Sequence, residues 1–130
     1  MDKTYITLFT EIAHMTELVA EQVLELNQKN KDEKGVATAT TMRDDYAALY
    51  DKLRDKNFNA ETLSRAEFAK FLVGAIIVSQ NLEGQVKQME RAIKGYKVHT
   101  IPSLERVVNE SNNDEEARKI AEEIFQFKED

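Results

Sequence analysis

The sequence contains no cysteine, one proline and four glycines. Without cysteine there can be no disulfide, no thiolate metal ligand and no cysteine nucleophile. So few prolines and glycines leave little material for the many tight turns of an all-β fold. Long hydrophobic runs are also missing. The longest, residues 71–78, is far shorter than the roughly 20 apolar residues that span a bilayer. The opening residues Met1-Asp2-Lys3-Thr4 lack the basic-then-apolar pattern of a secretory leader. No glycine loop that could cradle a phosphate is found, and neither is a Gly-x-Ser-x-Gly or a His-Glu-x-x-His motif. These absences set the expectation of a cytoplasmic chain with no membrane partner and no cofactor.

What is present is a globular composition. Of 130 residues, 42% are hydrophobic and 32% charged, enough to bury a core without staples and too apolar for a disordered chain. We therefore expect one domain over residues 1–130. The net charge of −6 is unevenly spread. Residues 107–130 hold eight acids against three bases, whereas residues 85–106 hold five bases against two acids. The acidic total repels nucleic acid at long range, so the basic stretch has to be weighed against that field.

Apolar residues recur at spacings of three and four, the helical period. Tyr5, Leu8, Ile12, Met15, Val19 and Leu26 form the first seam, widened by Phe9, Leu18 and Val23. It predicts a helix of about 25 residues, near 40 Å long. The polar residues 27–35, closed by Gly35, read as a connector. A second helix carries Ala39, Met42, Tyr46, Leu49 and Leu53, and it ends in Asp55-Lys56-Asn57-Phe58-Asn59. Ser64 and Glu67 match a capping box, with Leu63 and Phe68 placed for a hydrophobic staple. The third helix starts there. Its seam, Phe68, Leu72, Ala75, Ser79, Leu82, Val86, Met89 and Ile93, predicts about 30 residues ending near Gly95. Pro102 suits the first turn of a short helix carrying Leu104, Val107 and Val108; the alternative is one long helix kinked at Pro102. Asn113 with Glu116 caps a last helix bearing Ala117, Ile120, Ala121, Ile124 and Phe127. The fold class that follows is all-α: an antiparallel helical bundle of four main helices plus a short helix near Pro102.

From residue 68 to 78, nine of eleven residues are apolar, which predicts a helix buried all round. Gly74 and Gly84 suggest close helix approach within this element.

Three constellations could carry chemistry. Glu11-Ile12-Ala13-His14 has the Glu-x-x-His spacing of ferritin-like di-metal sites, because residues three apart share a helical face. Such a site needs a second motif. The only other histidine, His99, follows Tyr96 at that spacing, so Glu11 and His14 read as a solvated surface pair. Lys87, Arg91, Lys94 and Lys97, with Tyr96 and His99 beside them, form a basic stripe and a possible interaction patch. The competing reading is an intramolecular charge match with Glu17, Glu21 and Glu25 or with residues 114–116. Glu115, Glu116, Glu122 and Glu123 loosely resemble the Mg²⁺-binding helices of nucleotide pyrophosphohydrolases, but the spacing of that motif is not reproduced. Helix-start and helix-surface acids explain them.

No residue set assigns catalysis or a metal. The reading that follows is a non-catalytic cytosolic interaction or regulatory protein acting through helix–helix contacts, its partner a protein and possibly a second copy. The two alternatives are a small metal- or nucleotide-dependent enzyme, resting on Glu11 and His14, and a nucleic-acid-associated regulator, resting on residues 87–97. Phe9, Leu18 and Val23 exceed what one bundle is expected to cover, which suggests a two-fold homodimer.

Overall fold

The computed structural model describes residues 3–125, and among them there is no strand. Six α-helices follow in order: α1 (Lys3–Lys29), α2 (Glu33–Arg54), α3 (Arg65–Leu82), α4 (Glu90–Gly95), α5 (Ile101–Asn109) and α6 (Asp114–Phe125). Short 3₁₀ turns lie at Ala60–Thr62 and Lys87–Met89, and a π-helical turn at Tyr96–Thr100. No helix among the described residues is long and apolar enough to cross a membrane. Phe127 lies outside the described residues.

α1 and α2 make a helical hairpin. The connector is shorter than the polar run implies, because α1 continues to Lys29 and α2 begins at Glu33. Lys31 takes the left-handed conformation that reverses the chain (φ 56°). Asp32 caps α2 by accepting from the Gly35 amide at 3.0 Å. Gly35 is therefore inside the first turn of α2 and does not terminate α1. A Cβ there would lie 2.7 Å from both Asn27 Nδ2 and Asp32 Oδ2.

α3 is the organising element, in contact with α1, α5, α6 and the π turn. Its capping box forms as expected: Glu67 N donates to Ser64 Oγ at 3.1 Å, and Ser64 N to Glu67 Oε1 at 3.0 Å. The same carboxylate accepts from Lys52 Nζ at 2.8 Å, so the box also ties α2 to the start of α3. Phe71 stacks on Phe9 (centroids 4.6 Å apart), and Phe125 meets Phe9 edge-on at 5.2 Å. This aromatic centre joins α1, α3 and α6. Phe9 is thus fully buried and does not flank the bundle. Gly74 allows close approach, as its place in the helix suggests: a Cβ there would sit 2.8 Å from Thr16 Oγ1 and 3.2 Å from Tyr46 Cε1. Contacts of Phe9 with Phe71 and of Thr16 with Gly74 advance together, so α1 and α3 run in the same sense. α2 opposes both.

Two expectations about α3 are corrected. It stops at Leu82, not near Gly95. Glu83 is extended, Gly84 adopts φ +77° and Gln85 N donates back to Leu82 O at 3.1 Å. That is a type II turn, whose third position demands positive φ and so glycine. Nothing lies within 4 Å of a Cβ at Gly84, so its role is conformational and not close packing. Nor is the helix buried all round. Phe68, Phe71, Ala75 and Val78 are buried, but Leu72, Ile76 and Ile77 are half-buried and Val73 is 48% exposed. The neighbours of α3 cover one broad face and leave another open.

Past the break, residues 90–109 form one continuous helical run through Pro102. A proline ring collides with the carbonyl four residues back, here that of Val98. The chain widens to a π turn at that point, with Ile101 N donating to Tyr96 O. The loop into α6 is clamped by Arg65. Its guanidinium donates to Val108 O at 2.8 Å and Ser111 O at 3.2 Å, and its backbone amide to Asp114 Oδ1 at 3.0 Å. Asn113 caps α6 through Glu116 N at 2.9 Å.

Candidate functional site

Glu11 and His14 both lie on the exposed side of α1. His14 stacks on the Tyr50 ring of α2 with centroids 4.7 Å apart, and its Nδ1 is 3.9 Å from Glu17 Oε2. Arg54 lies over the same Tyr50 ring at 4.8 Å. This is a surface stack that fastens the helical hairpin. Among the described residues, no group of three or more His, Cys, Asp or Glu side chains is placed to hold a metal ion.

The basic stripe does not ride on α3, since α3 has ended. It is spread over the 3₁₀ turn, α4 and the π turn. Lys87, Arg91, Lys94 and Lys97 are exposed, but Tyr96 is 2% exposed and leaves the patch. The reason is register: Tyr96 continues the inward seam of Ile93, and its ring belongs to the core cluster. Among the described residues its phenol finds no hydrogen-bond partner, nor does the buried Ser79 hydroxyl. Burial first, and then the Glu11 carboxylate, push the Tyr96 phenol up to about 12. Lys97 pairs with Glu83 across the turn that ends α3. Lys87, Arg91 and Lys94 make no ion pair among the described residues, so no charge match with Glu17, Glu21, Glu25 or residues 114–116 is found.

Glu115, Glu122 and Glu123 line one polar groove with Glu61. Glu115 and Glu122 are seven residues apart and share a face of α6, and the groove is broad enough to take in Glu123 as well. Arg118 and Lys119 line it as well, and Arg118 donates to Leu63 O at 3.3 Å.

A concavity with fewer charged residues lies elsewhere. α2 packs along α1 and stands off from α3, opening a groove of about 510 Å³ between them. Thr38, Thr41, Met42 and Asp45 form one wall; Ala66, Ala69, Lys70 and Val73 form the other. Tyr46 bridges its floor, donating from its hydroxyl to Lys70 O at 2.6 Å. Burial, and secondarily Asp45, push that phenol up to about 12. A second groove of about 370 Å³ shares Thr38 and Met42 and continues past Ala39 to Val23 and Asn27. None of these residues stood out by motif. The signal for them is the uncharged run 35–42, in a chain one-third charged, together with the apolar excess of residues 68–78.

Compared with known protein families, with curated proteins and with solved structures, the chain matches none.

Proposed function

We propose that this chain is a non-catalytic cytosolic interaction module that acts through helix–helix contact in the groove between α2 and α3. One observation carries this reading. The groove walls hold only one acid and one base, with Val73 about half exposed at the rim, in a chain 32% charged. Contiguous uncharged surface of that kind marks an interaction site, and an open channel beside two helices suits a third. Affinity capture from cell extract, comparing the parent chain with Val73→Glu, tests it. A protein retained by the parent and lost by the variant, and then bound directly when purified, is the expected result. Identical capture by both would overturn the reading.

A second reading rests on Lys87, Arg91 and Lys94, exposed and outside any ion pair among the described residues. Together they could contact a polyanion such as nucleic acid, against the repulsion of the −6 net charge. Binding to generic DNA or RNA that weakens steeply with salt and is lost on changing Arg91 and Lys94 to Ala would favour it. No binding at low salt removes it.

A further inference from the structure

We propose that the occupant of the α2–α3 groove is the same groove of a second copy, related by a two-fold axis, with Asp45 of each copy facing Lys70 of the other. This rests on the reading of the groove as a helix-contact surface. It goes further by naming the partner.

The argument is one of charge. The two walls each carry a single charged residue, and the signs are opposite: Asp45 on α2 and Lys70 on α3. Although they line one groove, they make no ion pair with each other or with any other described residue. In a two-fold interface residue i meets residue j and residue j meets residue i. A wall with an acid opposite a wall with a base satisfies that condition without any further group. Rotation places the α3 wall of one copy in the groove of its partner, and both charges then gain a counter-ion at once.

Shape supports the same arrangement. The outward positions of α3 here are Ala66, Ala69 and Val73, and those of α2 are Thr38 and Thr41. Short side chains allow two helices to approach closely as ridges enter grooves. The adjoining groove along the helical hairpin carries Asp32 and Lys34 at its far end and reaches Val23, which is 40% exposed.

The test uses the whole chain and reads mass by sedimentation equilibrium over a micromolar concentration series. The parent should rise from 14.9 kDa toward twice that value. Asp45→Lys alone and Lys70→Asp alone should each weaken association by about tenfold or more, because each puts like charges face to face twice. The double variant should regain it. An equimolar mixture of the two single variants should form a heterodimer, since its two pairs are again opposite in sign; no intramolecular role of these residues gives that result. Val73→Glu should abolish association with the circular dichroism spectrum unchanged.

A mass fixed at 14.9 kDa at every concentration overturns the proposal. So does a dimer indifferent to the charge swaps, or single variants that do not rescue one another. A monomer whose Val73→Glu variant still loses a captured protein removes the two-fold arrangement and leaves the interaction module standing. Loss of neither association nor capture on that substitution removes both.

Discussion

Residues 65–82 and residues 83–100 are equal in length and share one apolar rhythm. Phe68, Phe71, Ala75 and Val78 pass into Leu82, Val86, Met89, Ile93 and Tyr96 without a change of spacing. The first stretch is a single α-helix; the second is a turn, a 3₁₀ turn, a short helix and a π turn. The difference teaches what periodicity measures. It records which residues face the core, and a turn of suitable length can interrupt the backbone while preserving that facing. What separates the two stretches is their surroundings. α3 is packed by α1, α5 and α6 and starts on a capping box tied to Lys52, whereas the second stretch offers few buried side chains until Ile93 and Tyr96.

The sharpest way to break this comparison is to hollow out each half. Phe71→Ala should cost about 3–5 kcal/mol, the usual loss for a buried phenylalanine. Met89→Ala, at a half-buried position, should cost well under half as much. Equal shifts of the urea midpoint would mean that the two stretches support the fold alike.

Next come the two buried tyrosines, one against each half. Tyr46→Phe gives up the hydrogen bond to Lys70 O and should destabilise by about 1 kcal/mol. Tyr96→Phe removes a hydroxyl that has no partner among the described residues and should stabilise by a similar amount. Both phenols are raised from 10.0 to about 12 in the fold, so the neutral form is favoured there. That contribution is complete below pH 10 and is lost as the pH climbs through 12. Alkaline unfolding should begin in this window, and the double Phe variant should flatten it. A parent melting temperature unchanged between pH 9 and 12 would contradict the burial.

Three glycines, one substitution and three outcomes sharpen the contrast further. Gly74→Ala should destabilise by about 1–3 kcal/mol, because Thr16 is buried and bonded to Ile12 O and cannot swing aside. Gly84→Ala meets no atom but must hold a left-handed backbone, at about 1–2 kcal/mol. Gly95→Ala, in helical conformation with open space around it, should stabilise by about 0.4–1 kcal/mol. Denaturant midpoints read all three, and a loss at Gly95 would refute the helical assignment there. Ser64→Ala should also cost about 1 kcal/mol, for the lost cap. A midpoint equal to the parent's would show the box to be dispensable.

Much of the architecture was legible in the residues themselves. The caps at Ser64 and Asn113 follow from local chemistry, because each depends on neighbours within one turn, whereas the helical passage through Pro102 was only the alternative to a helix that starts there. The break at Gly84 was less so: a glycine in a helical rhythm is compatible with tight packing, as at Gly74, or with a positive φ. Only the presence or absence of atoms around it separates the two. The groove was legible only as composition, in the uncharged run 35–42 and the apolar excess of residues 68–78; its place between the helices was not, for it exists because α2 leans on α1 and away from α3. Tyr96 read as part of a surface stripe because it sits among lysines, although its register places it with Ile93.

The three-residue reversal at Lys31 has a kinetic consequence. Bringing α1 against α2 closes a loop of only residues 30–32, whereas setting Arg65 on Ser111 joins groups 46 residues apart. By loop length alone the second closure is about 2 kcal/mol less favourable. The helical hairpin should therefore assemble before the far end is clamped. Leu49→Ala would then slow folding, while Arg65→Ala would chiefly hasten unfolding, and stopped-flow rates for the two variants read that order of events directly.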